Sequence, residues 1–505
     1  MTPETCNYHP DLDPLTAERE LASSTERLKE LRIAQIHFYT EQADGVSLQT
    51  QETRSELKRR GASVFTISAD FDPNQDTHQG AQIAELGYHR SDVSQLRREM
   101  NPALNRQSED GGSGPSVLLP GRESELMDAI YKQAYVIEKK LEAAFDKHRI
   151  NVLHVRNISS LPHLHPAAAL AMYRLIERHQ NIHFVLHHHD LSWEGPAAEF
   201  NYYAYPKIEQ LMQELHAPNF ANTSHIAINP DTKYALEEKY GIDVEYIPDG
   251  FNFDQEIKPV KRARLAEVAN ENLSDGETQV KPNDLLLGMM TRVVSNKAIE
   301  VAIQLAANLQ NNRSWMRNQK IGPHQIQFSQ DSQIILILPN LADAQADYKQ
   351  KLIKHAQQRN VRLIFIENLD DHGIHFYQTY DALDAIVYPS EHEGFGNQGV
   401  EAVWALKILV VHHYPVFKAL ADHIPHHVPL GTNADMVESS LSDGLHLLDQ
   451  WVLDRATVEL IKALLDSETD SKLLENRKLL RRLCSISKVV RQYIEIYLKY
   501  PLDYI

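Results

Sequence analysis

Residues 385–405, AIVYPSEHEGFGNQGVEAVWA, constrain this chain more than any other stretch. Ala385-Ile386-Val387-Tyr388 has the apolar, partly β-branched composition of a strand buried on both faces. Pro389 ends it by fixing φ and removing a ladder donor. A polar loop runs from Ser390 to Gly399, and the apolar periodicity from Val400 reads as a helix. Strand, glycine-rich loop and helix in succession aim backbone N–H groups and a helix N-terminus at an anion. Gly394 and Gly396 let the backbone approach a ligand closely, and Phe395 between them can anchor the loop on the core. Glu393 and Glu401 frame the loop with carboxylates able to accept from sugar hydroxyls. Taken alone, the same residues also suit an ordinary βα turn in which one glutamate is solvated and the other complements the helix dipole.

A strand of this kind needs parallel neighbours, and the rest of the chain supplies them. At 505 residues, 42% of them hydrophobic, the sequence suits two large domains. It opens with a charged extension, residues 1–29. Ile33 to Tyr39 and Val64 to Ile67 read as strands around a helix capped by Gly61, a βαβ unit. Residues 71–121 turn polar, with Gly111 to Pro115 (GGSGP) among them, and read as an irregular excursion. A long helix from Glu123 to Lys147, strands at Val152 to Val155 and His183 to His189, and a helix from Pro166 to Arg178 follow. The first α/β domain is expected over 30–257, a charged connection over 258–283, and a second α/β domain over 284–470. Residues 310–332 read as a polar insertion, and 471–505 as C-terminal helices.

Within the second domain, the apolar strand Asp284 to Met290 is followed by Arg292 and Lys297 at the start of a helix. A guanidinium fork and an ammonium at a strand-to-helix turn are placed to neutralise a diphosphate, although solvated surface charges are the plain alternative. In the first domain, the strand through His187-His188-His189 ends at Asp190, where ligands of open α/β sheets bind. His189 can contact a ligand there while Asp190 fixes its ring, and Trp193 and Glu194 follow in the same loop. Side-chain alternation keeps the three consecutive histidines from converging on one ion.

The motif PSEHEGFGNQGVEA resembles the signature of the family-4 retaining glycosyltransferases: Pro-Ser, Glu-Gly-Phe-Gly, then a second Glu after seven residues, followed by Ala. The spacing of Arg292 and Lys297 resembles that family's Arg-Leu and Lys-Gly pair, with Val293 and Ala298 in place of Leu and Gly. Asp44-Gly45-Val46-Ser47 resembles its Gly-Gly-Val-Gly loop, of which Gly45 matches the second glycine. Ile247-Pro248-Asp249-Gly250 resembles its Ile-Pro-Asn-Gly turn. After Glu401, Leu406-Lys407-Ile408 replaces the usual Gly-x-Pro, which puts that turn in doubt.

The resemblance implies a GT-B fold: two Rossmann-like domains facing across a cleft, with the C-terminal helix crossing back to the first. It implies transfer of a hexose, glucose or mannose, from a nucleotide diphosphate sugar such as UDP-glucose or GDP-mannose to an acceptor. Arg292, Lys297 and the N–H groups near Gly394 to Asn397 would stabilise the leaving diphosphate. Glu401 would hold the ribose, Glu393 the sugar hydroxyls, His189 the donor sugar, and Gly45 would approach the phosphates. No metal or other cofactor is implied, since two cationic side chains take its place. An epimerase, hydrolase or phosphorylase on the same fold, and a non-catalytic nucleotide-sugar-binding subunit, remain the alternatives.

Charge and composition narrow the partners. A formal net charge of −18 opposes nonspecific binding to nucleic acid or anionic lipid. No run approaches the roughly 18 to 20 apolar residues of a membrane span. The acidic N-terminus lacks an apolar signal core, and the two cysteines, Cys6 and Cys484, form no disulfide framework. The expectation is a cytoplasmic enzyme acting on a small soluble acceptor such as a sugar, polyol or sugar acid, with self-association left open.

Overall fold

The computed structural model describes residues 26–41, 44–72, 79–101, 121–194, 203–256, 258–273, 278–339, 345–367, 369–438 and 445–500. The chain forms two compact units. One holds the chain up to Ile228, Thr232–Gly250 and Ile486 onward; the other holds Asn229–Asp231 and Phe251–Ser485.

The first unit is built on strands β1 (Arg32–Ile36), β2 (Ser63–Ser68), β3 (Gly80–Gln82), β4 (Val152–Arg156), β5 (His183–His188), β6 (Thr223–Ala227) and β7 (Val244–Tyr246). They pair in parallel in the order β3-β2-β1-β4-β5-β6-β7. Its helices are α1 (Gly45–Arg59), α2 (Ser91–Met100), α3 (Arg122–His148), α4 (Pro166–Arg178), α5 (Pro206–Leu215) and α6 (Pro230–Tyr240). Helix α3 forms where the apolar stripe predicts one: Leu126, Ile130, Ala134, Ile137, Leu141 and Phe145 are all buried. Helix α4 starts with Pro166, whose fixed φ suits a first helical turn.

The polar stretch 71–121 departs from expectation. It contains β3 and α2, whose Val93, Leu96 and Met100 are buried. Three apolar residues among ten are too few to announce a helix without knowing what covers them. Residues 73–78 and 102–120, where the excursion was expected, lie outside the described residues.

The second unit carries β8 (Leu285–Gly288), the hairpin β9 (Gln319–Ile321) and β10 (Ile326–Phe328), β11 (Ile334–Leu338), β12 (Arg362–Phe365), β13 (Ala385–Tyr388), β14 (Ile408–His413) and β15 (Val428–Thr432). The main sheet is parallel in the order β12-β11-β8-β13-β14-β15. Helices α7 (Arg262–Glu271), α8 (Ile299–Asn311), α9 (Ala346–Gln358), α10 (Phe376–Ala382), α11 (Asn397–Trp404), α12 (Lys418–Ala421), α13 (Gln450–Leu465) and α14 (Thr469–Cys484) complete it. The antiparallel hairpin lies within the expected polar insertion, and its Ile321 and Phe328 are buried in the core.

The last helix, α15 (Ile486–Tyr497), belongs to the first unit, while α14 belongs to the second. Val489, Val490, Tyr493, Ile496 and Tyr497 of α15 are buried with Ile33, Val64, Val152 and Val185. Burying each such aliphatic side chain contributes roughly 1.5–3 kcal/mol.

Strand order reverses between β1 and β4 in the first sheet and between β8 and β13 in the second. The loops leaving these strands therefore diverge and open a crevice at the carboxyl end of each sheet.

Two turns keep a glycine-like backbone without glycine. Ala298 sits at φ 47, ψ 48, and Leu406 at φ 55. A left-handed L-residue costs roughly 1–2 kcal/mol. At Ala298 that cost is offset by a methyl group with no solvent exposure. At Leu406, N–H bonds from Leu406 to the Val403 carbonyl (3.1 Å) and from Lys407 to the Ala402 carbonyl (2.9 Å) close the helix end. The turn placed in doubt by the missing glycine thus forms with leucine in the same region of φ.

Candidate active site

In the second unit, adjacent strands on either side of the strand-order reversal present Lys297 and Glu393. The loop after β8 carries Arg292, exposed, and Lys297, 9% exposed. The loop after β13 carries Glu393. The Lys297 Nζ lies 2.5 Å from Glu393 Oε1, with side chains 11% and 15% exposed. Burial would raise the Glu393 carboxyl, but the charge and hydrogen bond of Lys297, helped by the Ser390 and Tyr388 hydroxyls, together outweigh it and hold the group below its ordinary range. Lys297 and Glu393, expected to act on different parts of a ligand, therefore arrive as one neutralised pair.

Gly396 caps α11 at φ 109, ψ 50. A Cβ there would fall 1.8 Å from the Tyr414 hydroxyl oxygen, which in turn donates to the Phe395 carbonyl at 3.1 Å. Phe395 is 3% exposed and anchors the loop as expected. Gly394, by contrast, takes no positive φ. Helix α11 begins at Asn397, three residues before the periodicity from Val400 announced it, so Asn397 lies in its first turn. Both amide atoms of Gln398, also in that turn, are buried without a hydrogen-bond partner among the described residues. Sequence reading passed Gln398 over.

Glu401, 9% exposed on the same helix, receives hydrogen bonds from Tyr377 Oη (3.3 Å, to Oε1) and Tyr380 Oη (2.5 Å, to Oε2). Both tyrosines come from α10 at helical spacing, which was legible, but their target was not. Burial raises the Glu401 carboxyl from 4.5 to about 7, against the pull of the two hydroxyls. The folded chain binds this proton more tightly than the unfolded chain. Its contribution to stability is therefore fully present below about pH 4.5 and is lost as pH rises through about 7. The difference is worth roughly 3 kcal/mol. Glu401→Gln should remove that decline between about pH 5 and 7 in urea melts, whereas parallel curves for wild type and variant would show that Glu401 does not carry the proton.

Glu367, in the loop after β12, lines a cavity of about 350 Å³ with Glu271, Asn272, Leu273 and Leu363 to Phe365. None of the residues singled out for donor chemistry lines it. A volume beside edge strand β12 does not by itself mark the site.

In the first unit, β5 alternates as expected. His188 faces His225, rings 5.5 Å apart and nearly parallel, while His187 and His189 share the opposite face. There they meet Asp249, and ligand atoms of all three lie within 4.8 Å of one another. Two of the three consecutive histidines do converge, with a carboxylate from the Ile-Pro-Asp-Gly turn. The position is filled by the chain's own cation: Arg156 Nη1 lies 3.1 Å from His189 Nε2 and 3.3 Å from His187 Nδ1. A guanidinium there opposes a metal ion by charge.

Arg156 also fixes proton positions. A guanidinium only donates, so His189 Nε2 accepts and, in the neutral ring, Nδ1 carries the hydrogen, facing Asp249 Oδ1 at 3.4 Å. The ring of His189 is 3% exposed and has partners at both nitrogens. The expectation that Asp190 fixes this ring is corrected: Arg156 and Asp249 do so. Asp190 Oδ2 instead accepts from Asn157 Nδ2 at 3.1 Å, and Asn157 Oδ1 accepts from the His189 N–H at 2.8 Å and the Asp190 N–H at 3.2 Å. Arg156, Asn157 and Asp249 were not singled out because the strand positions that assemble them lie far apart in sequence.

The Gly45 loop also differs from expectation. The Asp44 carboxylate accepts from the N–H groups of Val46 (2.9 Å) and Ser47 (3.0 Å), and from Ser47 Oγ at 2.6 Å. The two substitutions flanking Gly45 and Val46 therefore pair with each other. They place a carboxylate at the helix terminus beside exposed Gly45. Trp193 lies under Lys239, whose Nζ is 3.7 Å from the ring centroid, and beside His216 and Tyr240. Glu194 is partly exposed, its N–H bonded to the Leu191 carbonyl at 3.1 Å.

Comparison with known proteins agrees with this architecture. Residues 271–425 match the family described as Glycosyl transferases group 1. That span contains Arg292, Lys297, Glu393, Gly396 and Glu401. The chain is 27% identical over 452 residues to the mannosylglucosylglycerate synthase of Petrotoga mobilis, covering 87% of this chain and 94% of that one. It is 24% identical over 453 residues to the enzyme of the same name from Thermotoga maritima, covering 88% and 94%. Among solved structures, the sucrose-phosphate synthase of Thermosynechococcus elongatus superposes with a TM-score of 0.55 at 15% identity, over 93% of this chain and 98% of that one.

Two parallel α/β units, each with one reversal of strand order, give the chain the GT-B fold, and the match over residues 271–425 makes it a glycosyltransferase. Within that class the chain resembles the retaining family-4 type and is a hexosyltransferase. Among the described residues no helix is long and apolar enough to cross a membrane.

Proposed function

We propose that this enzyme transfers mannose from a nucleotide diphosphate mannose, with retention, to a hydroxyl of a glucosylated glycerate. The observation carrying this reading is the match, over nearly the whole length of both chains, to two enzymes named mannosylglucosylglycerate synthase.

The chemistry follows from charge. As the anomeric carbon turns cationic, the leaving diphosphate accumulates negative charge. Lys297, already desolvated and oriented by Glu393, and Arg292 on the same loop supply the compensating positive charge. The N–H groups at the start of α11, aimed by Gly396, add to that field. Glu393 keeps a negative oxygen beside the reacting sugar and Glu401 holds the ribose, while Arg156 and Asp249 orient the His189 ring. These groups take the place of a divalent cation.

The test is a panel of GDP-mannose and UDP-glucose against glucosylglycerate and neutral glucosides, following nucleotide release and product stereochemistry. The expected result is acceptor-dependent nucleotide release with GDP-mannose and glucosylglycerate, an α-linked product, and an undiminished rate in EDTA. Release without acceptor would instead mark a hydrolase. Loss of rate in EDTA, restored by a divalent cation, would overturn the metal-independent part.

A further inference from the structure

At the carboxyl ends of β1 and β4, where the first sheet reverses its strand order, loop residues form an aromatic patch. Phe38 and Tyr39, leaving β1, pack against Tyr88 with ring centroids 5.3 and 5.1 Å apart. His165, from the loop after β4, stacks over Phe38 at 6.4 Å, and its Nε2 lies 2.7 Å from the Glu85 carbonyl. Helix α2 carries Arg97, half-buried, whose charge is felt at Tyr88, Tyr203 and His163. Tyr203 is tied to the helix end through the Ala204 N–H, which donates to the Met100 carbonyl at 2.9 Å.

The charges around α2 do not balance at Arg97. Asp92 pairs with Arg90 at 2.9 Å, Glu99 pairs with Arg122, and Glu85 pairs with Lys140 at 2.5 Å. No carboxylate among the described residues pairs with Arg97, which is half-buried. Its Nε is buried without a hydrogen-bond partner among the described residues, and so is Nδ1 of His163, itself 5% exposed. A buried donor without an acceptor costs roughly 1–3 kcal/mol, and packing does not explain why the chain retains it. Leucine or methionine would cover the same apolar surface without desolvating a charge.

We propose that Arg97, with His163 beside it and Tyr88 and Tyr203 flanking it, is the subsite that receives the carboxylate of the acceptor. The inference rests on the sugar-acid acceptor proposed above. The guanidinium offers a planar fork that matches a carboxylate, and the orphaned Nε–H and the His163 ring give its oxygens further partners. Burial keeps the pair in a medium of reduced dielectric, so a neutral acceptor lacking the carboxylate would leave the same donors unpaired and be rejected.

The experiment compares wild type, Arg97→Gln and Arg97→Lys with glucosylglycerate and its uncharged counterpart, glucosylglycerol, at saturating donor. Wild type is expected to favour the acid. Arg97→Gln is expected to raise KM for the acid by about 50-fold, leave kinetics with glucosylglycerol within about twofold, and melt no lower than wild type. Arg97→Lys should recover part of the loss, because an ammonium keeps the charge but not the fork. A wild type with no preference for the acid would overturn the acceptor reading and this subsite with it. A wild type that prefers the acid while Arg97→Gln keeps the same preference would overturn the Arg97 subsite alone. A lowered melting point with equal losses on both acceptors would also overturn it, by showing a structural role.

Discussion

Replacing Lys297 by alanine is expected to lower kcat/KM by about 10²- to 10³-fold, the usual effect of removing one group that stabilises developing negative charge. The loss should fall mainly on kcat if the ammonium acts on the leaving diphosphate in the transition state. Stability will change as well, because Glu393 loses the partner that keeps its carboxyl low. Breaking a fully buried pair costs roughly 3–5 kcal/mol. With side chains 11% and 15% exposed, about 2 kcal/mol is the expected figure here. The double variant Lys297→Ala/Glu393→Gln separates the two effects. It should regain most of the melting temperature and none of the activity. A Lys297→Ala enzyme with wild-type kcat/KM would remove Lys297 from the reaction.

Gly396→Ala is expected to destabilise the second unit by about 3 kcal/mol and to abolish measurable transfer. Roughly 1–2 kcal/mol comes from forcing an L-residue to positive φ, and roughly 1–3 from overpacking against the Tyr414 hydroxyl. The new methyl carbon would fall 1.8 Å from that oxygen but 3.0 Å from the ring carbon bearing it, so Tyr414→Phe should rescue part of the stability. Activity should return less than stability does, since the φ strain still turns the first N–H groups of α11. Chemical denaturation and donor KM measured on the single and double variants check both statements. Equal stability of Gly396→Ala and wild type would mean that the loop adopts another path.

Much of the second unit was legible because its information is local. A run such as Ala385 to Tyr388 followed by proline can be little other than a buried strand, and a glycine between two turns of different hand announces a change of φ. Arg292, Lys297, Glu393 and Glu401 could be named because each sits within reach of a strand end along the chain. Their partners were a different matter. Tyr377 and Tyr380 were visible as residues of a short helix, but that they cap Glu401 depends on how α10 packs against α11. The departure at Leu406 put its turn in doubt, and Ala298 stands where glycine is usual; both positions kept a positive φ because the surrounding hydrogen bonds and packing hold it.

The first unit was less legible, for the same reason applied to longer distances. The sequence order Asp190 after His189 suggested a ring held by its neighbour. Adjacent residues on a strand point to opposite faces, so the ring turned instead to Arg156 on β4 and to Asp249 in a turn far along the chain. Likewise Asp44 and Ser47 looked like two losses from a glycine loop, and only their mutual hydrogen bonds show that they fill the helix terminus together. Helix α2, and Arg97 with it, lay in a stretch whose composition is that of a loop.

By itself the sequence determined the two βα-built halves, the strand-to-helix turns, and the charged residues set on them. These depend on φ preferences, apolar periodicity and residue spacing, all of which act over a few residues. Only the tertiary structure decided which charges neutralise each other, which partners orient the His189 ring, and that Arg97 meets no carboxylate among the described residues. Those outcomes depend on distances across strands and between helices, where hydrogen-bond and Coulomb energies change over a few ångströms that no sequence interval encodes.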